Sequence, residues 1–398
     1  MKTLELKSIG QIRHAELQFG DLTVLVGPQA SGKSITLQWL KFLLDAGHVQ
    51  RQLRNYGLDY GGSLGEFLDL YFGEGMRSIW REDSEILVDG RPVDVARRVA
   101  RLQPEKDETV FLIPAQRVIT IANGWPKPFQ GYSAGDPYSV RAFSEELRIL
   151  MEREFTGAGP LFPKPNRLKS DYRKLLRKGV FGEFSLTVDK VQSQKRLVLG
   201  AGENHLPFMV WSAGQRELVP LLLGLYWLMP PSKSARREKI EWVIIEELEM
   251  GLHPRAVATV LLIVLELMAR GYRVCLSTHS PQVLEMVWAT EALRTHRGSP
   301  DQLLDLFGAP HSAQLRQVAS DVLTKRSRVY YFDPEGPVAD ITTLDPTSRS
   351  SQEASWGGLL EFSARANEAV ALAVANAPNF GSPPADEAGA TATGVHEP

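Results

Sequence analysis

The chain has 398 residues, enough for one large hydrophobic core or two smaller ones. With 43% apolar residues and a formal net charge of −2 it has an ordinary globular composition, and its overall balance drives it toward neither nucleic acid nor membrane, so any such contact must come from a local patch. A single cysteine, Cys275, excludes an internal disulfide and a cysteine-rich zinc site; with no stretch of about 18 uncharged apolar residues to span a bilayer, a reducing, cytoplasmic compartment is expected.

Residues 2–26 read as two or three strands, beginning with the polar/apolar alternation of Met1 to Lys7. The last strand, Leu22-Thr23-Val24-Leu25-Val26, runs into Gly27-Pro28-Gln29-Ala30-Ser31-Gly32-Lys33-Ser34, the pattern G-x-x-x-x-G-K-S of a phosphate-binding loop. A helix over 35–47 follows, so the loop has the strand and helix flanks that the pattern requires. Glycines let backbone N–H groups turn toward an anion, and the helix start adds positive potential. Lys33 would reach the β- and γ-phosphates of a nucleotide, and the Ser34 hydroxyl would ligate Mg²⁺. Next come a helix over 64–71, a strand over 85–91 ending in an Asp-Gly turn, and a short basic helix over 95–102. The apolar strand 110–114 is followed by Ala115-Gln116-Arg117.

Residues 118–205 have a different texture, and they read as a lid or arm inserted into the surrounding domain. They hold an amphipathic helix over 139–155, a loop with Pro160, Pro163 and Pro165, a basic helix over 168–178 and strands near 183–189 and 195–199. From 206 the apolar density rises. Trp211-Ser212-Ala213-Gly214-Gln215-Arg216-Glu217 opens a helix to about Met229, ended by Pro230 and Pro231. A basic linker, 232–239, leads to Trp242-Val243-Ile244-Ile245-Glu246-Glu247, a buried strand ending in two carboxylates. Pro254 opens a helix to Ala269; residues 272–277 form another buried strand, capped by Thr278-His279-Ser280-Pro281 and a helix. Strands alternating with helices predict an α/β fold with a mainly parallel sheet. Beyond 297 a helix near 312–324, strands over 329–332 and near 337–343, and a last helix over 357–375 are expected; the tail from 376 is expected to be disordered.

Ligands bind open parallel sheets at the carboxyl ends of the strands. There Glu246 would hold Mg²⁺ through water, and Glu247 would polarise an attacking water. Singly, two acids at a strand end also read as a solvated edge. Ser212-Ala213-Gly214-Gln215 reads either as an anion site or as a plain N-cap. His279 reads as a γ-phosphate partner or as a structural histidine, and Gln116 alone says little.

The order of these stretches is more specific than any one of them. It resembles the soluble branch of the ABC-type ATPases, with the SMC-like repair ATPases, the RecF-like proteins and the OLD-family ATPases. Within it, the chain is most similar to the compact bacterial AAA-type ATPases of the OLD and abortive-infection group. Ile245-Glu246-Glu247-Leu248-Glu249-Met250-Gly251-Leu252-His253-Pro254 looks like their I-E-E-P-E-x-x-L-H-P, with Leu248 where they have proline, and Ala213 stands where their signature has glycine. The resemblance implies a P-loop NTPase of ABC-ATPase type with an N-terminal antiparallel strand region. It makes Gln116 the Q-loop residue sensing Mg²⁺ and water, and Ser212, Gly214 and Gln215 the signature. Glu246 and Glu247 become the Walker B pair, Leu252-His253-Pro254 the D-loop region and His279 the switch histidine. Arg13 or His14 would lie near the base or ribose.

The implied organisation is 1–117 and 206–297 as the two halves of the ATPase domain, 118–205 as the lid, 298–375 as an accessory region and 376–398 as the tail. The implied cofactors are ATP and Mg²⁺. In such ATPases the signature of one protomer covers the nucleotide of another, so ATP-dependent dimerisation of the heads is expected, as a homodimer or higher oligomer. Phe332-Asp333-Pro334-Glu335-Gly336 hints at a Toprim metal motif, but the acidic pair that would complete it is missing, so no nuclease activity is expected. Two functions fit: the ATPase subunit of an anti-phage defence complex controlling a separately encoded nuclease or toxin, or a DNA-binding SMC/RecF-like ATPase in DNA repair or maintenance. The second leans on the basic run Lys164, Arg167, Lys169, Arg173, Lys174, Arg177 and Lys178, a candidate phosphate-binding face.

Overall fold

The computed structural model describes residues 1–376 apart from 105–106, 156–158, 165–166, 192–193, 203, 231–235 and 238. The expected disordered tail lies, from 377 on, outside the described residues, as does most of the 232–239 linker. Met1–Leu359 form one unit and Leu360–Pro398 a second.

β1 (Thr3–Ile9) and β2 (Ile12–Gln18) form a hairpin, and β3 (Leu22–Val26), buried at every position, carries the chain to the glycine loop. Helix α1 (Lys33–Asn55) runs well past the expected end near residue 47. It kinks at Asp45, whose carboxylate accepts hydrogen bonds from Thr109 N and Val110 N at 3.0 and 2.9 Å. Gly47 reads like a helix end but serves close packing: a Cβ there would lie 2.3 Å from the Pro104 carbonyl oxygen. Then follow α2 (Leu64–Phe72), capped by Ser63, β4 (Trp80–Val88), β5 (Arg91–Pro92), α3 (Val95–Ala100) and β6 (Val110–Ile113).

The next segment opens on a short hairpin, β7 (Ile121–Ala122) and β8 (Trp125–Pro126), turned by Asn123-Gly124 with positive φ at both residues. Helices α4 (Tyr138–Arg153) and α5 (Ser170–Leu176) follow. The two expected strands are β9 (Ser185–Val191) and β10 (Gln194–Ala201); a third, β11 (Asn204–Pro207), completes a small antiparallel sheet. Helix α4 packs on the large sheet, with Phe143 against Phe111.

Then come α6 (Ala213–Leu228), β12 (Trp242–Glu246), α7 (Pro254–Ala269), β13 (Arg273–Thr278) and α8 (Pro281–Thr295), each at its expected place. Helix α9 (Pro300–Leu306) was not expected; its signal is the capping box of Ser299 and Gln302 around Pro300. Helix α10 (Ala313–Val322) and β14 (Ser327–Tyr331) match expectation, whereas the strand near 337–343 shrinks to β15 (Ala339–Asp340) on the sheet edge. Short α11 (Ser351–Ala354) closes the first unit, and α12 (Glu361–Asn376) is the helix of the second. The last helix starts later than expected because Gly357 and Gly358 take φ 66° and 84°.

Two sheets matter for the site. The six-stranded sheet is ordered β15-β14-β3-β13-β12-β6, with parallel pairing from β14 to β6 and an antiparallel edge at β15. The N-terminal four-stranded sheet, β2-β1-β4-β5, is antiparallel. Between them lies a core in which Leu4, Leu6 and Leu17 meet Trp39, Phe42, Phe67, Ile244 and Cys275. The fold is α/β with a mainly parallel sheet and an N-terminal antiparallel sheet, as expected. No helix among the described residues is long and apolar enough to cross a membrane.

Candidate nucleotide site

Parallel register fixes which residues meet at the carboxyl edge. Val26 pairs with Thr278 and Tyr331, Ser277 with Glu246, and Ile113 with Ile245. The ends of β3, β13, β12 and β6 therefore deliver the glycine loop, His279, the Glu246-Glu247 pair and Ala115-Gln116 to one edge.

The loop needs its glycines. Gly27 and Gly32 take φ 144° and 99°, and a Cβ on them would lie 2.5 Å from Phe332 O and 2.4 Å from Ile12 Cγ1. Lys33, at the start of α1, is buried and donates to Gly27 O at 2.8 Å and Pro28 O at 2.6 Å. Burial lowers its ammonium to a pKa of about 8, against the opposing pull of Glu247 and Glu249.

A cavity of about 320 Å³ opens over the loop, lined by Gln11, residues 29–35, Glu247 and His279. A larger one, about 450 Å³, lies between Trp227, Arg237 and Glu108 at the opposite edge of the sheet, away from the glycine loop. Glu246 is buried under the carboxyl edge of the sheet. Its Oε2 accepts from Ala115 N at 3.1 Å, while Oε1 and the Ser277 hydroxyl beside it have no hydrogen-bond partner among the described residues. Burial raises the Glu246 carboxyl, with Ala115 N–H and the nearby Ser34 hydroxyl pulling it down. A buried carboxylate oxygen left unpaired beside a hydroxyl is a donor set that suits a hydrated divalent cation. Glu247 follows in the left-handed region at φ 44°, its N–H donated to Ser277 O at 2.9 Å. That turn brings its carboxylate out to the cavity, 3.5 Å from His279 Nε2.

Loop residues Gln29 to Ser34, Glu247 and His279 thus share one cavity, with Glu246 beneath it. Gln116 sits exposed after β6 and does not line the cavity. Ser212 and Ala213 are exposed and Gly214 and Gln215 half-buried, also outside it; Ser212 and Gln215 form a reciprocal capping box at the start of α6. His253 caps α7 by accepting from Arg255 N. Neither Arg13 nor His14 lines the cavity; His14 pairs with Glu5, and the hairpin contributes Gln11 from its tip instead.

Besides Gln11, three residues escaped the sequence reading. Arg117, fully buried, donates to the carbonyls of Glu217, Glu246 and Glu247. Glu249 accepts from Thr278 Oγ1 at 2.8 Å and His279 N at 2.6 Å. Gly251, at φ 69°, lets the turn after β12 approach α6: a Cβ on Gly214 would lie 3.1 Å from its carbonyl oxygen. Their signal was faint: an arginine after an apolar strand, and an acid and a glycine inside an already assigned stretch.

The basic run 164–178 is less free than its composition suggests. Arg167 is buried, bonded to Tyr226 O and Glu154. Lys169 pairs with Glu266, which also accepts from the buried Tyr172 hydroxyl. Lys174, Arg177 and Lys178 remain exposed. Where this segment covers α7, Lys169 and Tyr172 satisfy the buried Glu266 there, while Arg167 pairs with Glu154 at the end of α4.

Residues 140–285 match the family model described as "AAA domain, putative AbiEii toxin, Type IV TA system". That segment is similar to an AAA-type ATPase domain. The matched part runs from α4 into α8, so it contains the start of α6, Glu246, Glu247 and His279, while the glycine loop lies before it. Among solved structures, the chain is similar to an SMC head bound to the C-winged helix domain of ScpA, at 13% identity over 70% of this chain and 88% of that one, with a TM-score of 0.36. It is also similar to the SMC head domain from Thermotoga maritima, at 12% identity over 85% and 98%, TM-score 0.32. A third likeness is to a bacterial ABC transporter cassette in a dimeric structure, at 12% identity over 70% and 89%, TM-score 0.31. No curated protein matches the chain.

Proposed function

We propose that the chain is a slow, Mg²⁺-dependent ATPase whose ATP-bound heads pair, and that this pairing switches a separately encoded effector in a defence system. The observation that carries the ATPase reading is the convergence of Lys33, Glu246, Glu247 and His279 on the sheet edge above the glycine loop. Bound Mg²⁺ would neutralise phosphate charge, held by Ser34 and, through water, by Glu246. Lys33 and the loop N–H groups bind and orient the phosphates. Glu247 takes a proton from the attacking water, and His279 aligns the γ-phosphate side of the cavity. Gln116, exposed at the end of β6 and outside the cavity, would join this group only by turning inward.

The pairing reading is supported by the Ser212-Ala213-Gly214-Gln215 turn, which presents a helix start to solvent outside the chain's own cavity. There it is available to the nucleotide of another copy. Control of an effector is supported by the family description, which names a toxin system. The DNA-maintenance alternative has less to stand on, because Arg167, Lys169 and Tyr172 of the basic run are engaged in packing.

The test is Mg-ATP turnover and sedimentation of the purified chain with and without ATP. Turnover lost in Lys33→Ala, with an ATP-dependent dimer trapped by Glu247→Gln, is expected. A single species under all conditions removes the switch. Growth arrest or phage protection from co-expressed neighbouring genes, lost with Lys33→Ala, supports the effector reading; effects unaltered by that change remove it.

A further inference from the structure

The most heavily bonded side chain at this edge is one to which the ATPase reading gives no role. Arg117 follows Gln116 and has no exposed surface, yet it carries a full charge. Its Nη1 donates to Glu246 O at 3.0 Å and one Nη2 proton to Glu247 O at 3.0 Å. Its Nε donates to Glu217 O at 3.2 Å and lies 3.4 Å from the Glu217 carboxylate. One rigid guanidinium therefore spans two elements: the strand end that bears Glu247, and the second turn of α6, whose first turn is the Ser212-Gln215 stretch.

Glu247 needs such a brace. It holds φ 44°, a conformation that costs an L-residue free energy and persists only when its surroundings over-determine it. Burying an arginine is costly as well, and three main-chain carbonyls plus a carboxylate offset that cost only while both elements stay in place. A second contact ties the same pair: Gly251, in the turn after Glu247, lies against Gly214 so closely that a Cβ on Gly251 would sit 2.9 Å from Glu217 Cγ. Two separate contacts thus tie the start of α6 to the turn 247–251.

We infer that Arg117 is a positioning residue that sets the Glu247 carboxylate by locking its backbone to α6, so that the placement of the Ser212-Gln215 turn and of the catalytic carboxylate in the same chain are linked. This rests on the ATPase reading above. In a pair of heads, the turn that meets one nucleotide would thereby be coupled to the carboxylate that acts on the other.

The experiment compares Arg117→Lys, Arg117→Ala and Glu217→Gln with wild type for ATP affinity, kcat and thermal unfolding. In Arg117→Ala, kcat is expected to fall about 10- to 100-fold, the scale of a misplaced catalytic group, while ATP affinity stays within about twofold. Lysine keeps the charge but loses the fork, so Arg117→Lys is expected to keep ATP affinity with an intermediate kcat. Adding Glu217→Gln to Arg117→Ala is expected to lower kcat no further, as for groups acting as one unit. Wild-type kcat in a folded Arg117→Lys or Arg117→Ala overturns the inference, and so does a loss of affinity equal to the loss of kcat. If Arg117→Ala does not fold, Arg117→Lys decides alone by the same criteria. Absence of ATP turnover in the wild-type chain would instead remove the ATPase reading itself.

Discussion

The Glu247 carboxylate and His279 Nε2 lie 3.5 Å apart at the mouth of the cavity, with side chains 28% and 30% exposed. Both are partly open to water and both border the loop that holds Lys33. A carboxylate in that position would reach a water placed above the loop, as the proposed general base must. Glu247→Gln keeps the shape and removes the proton acceptor. Its turnover is expected to fall about 100- to 10,000-fold with ATP affinity retained. Phosphate release and nucleotide titration on the same preparation check this; equal loss in both would place Glu247 in binding alone.

Lys33 predicts a pH dependence. Its folded-state pKa of about 8 lies below the ordinary value of 10.5, with burial the main cause. Phosphates prefer the charged ammonium, so ATP affinity is expected to be level below about pH 8 and to fall up to about tenfold per pH unit above it. The effect on folding has the opposite sense: between about 8 and 10.5 the unfolded chain holds more protons at this residue, so the empty protein gains stability from Lys33 as pH rises. Titrations near pH 7 and 9.5 test the first part. Affinity level across that range would mean that Lys33 stays charged in the free chain.

Much of this site was legible because its signals are local. G-x-x-x-x-G-K-S after an apolar strand, two acids ending another and Thr-His after a third each need only a few neighbouring residues to read, and a parallel sheet then brings its strand ends together. Arg117 and Glu249 were not legible because their roles lie in partners elsewhere in the chain: Arg117 bonds residues 100 to 130 positions away, and Glu249 bonds Thr278 and His279. That two cations of the basic run are taken up was not legible for the same reason, since the acids that pair with Arg167 and Lys169 are Glu154 and Glu266. Gly47 misled because a glycine required by a neighbouring loop reads like one that ends a helix.

Gly47 also separates stability from nucleotide binding. Gly47→Ala puts a methyl group against the Pro104 carbonyl, 2.3 Å away, well along α1 from the residues at its start that line the cavity. It is expected to destabilise the fold by about 1–3 kcal/mol while leaving ATP affinity unchanged. Gly32→Ala meets Ile12 at 2.4 Å and holds φ 99°, so it is expected to lose both stability and affinity. Denaturant unfolding and ATP titration of the two variants check this pair. Equal effects of both substitutions on affinity would mean that the α1 kink and the loop are coupled.

Deep in the first unit, Lys41 bonds Asp45 at 2.7 Å, Glu108 at 2.6 Å and the Val110 carbonyl at 2.6 Å, fixing the α1 kink to the start of β6. Lys41→Met removes the cation and leaves buried acid without its partner, so it is expected to cost about 3–5 kcal/mol at neutral pH. Burial pushes the Asp45 carboxyl up, but Lys41 and Thr109 more than offset this and hold it below its ordinary 3.8. In the native chain, the resulting stability is present above about pH 3.8 and is lost as pH falls through the lower folded-state value. In Lys41→Met the sign reverses, because an unpaired buried carboxyl takes up a proton more readily folded than unfolded. The stability gap between variant and native chain is therefore expected to narrow as pH falls from about 7 toward about 4. Urea unfolding across that range measures it, and a gap that stays constant would show that the substitution acts through packing and not through charge.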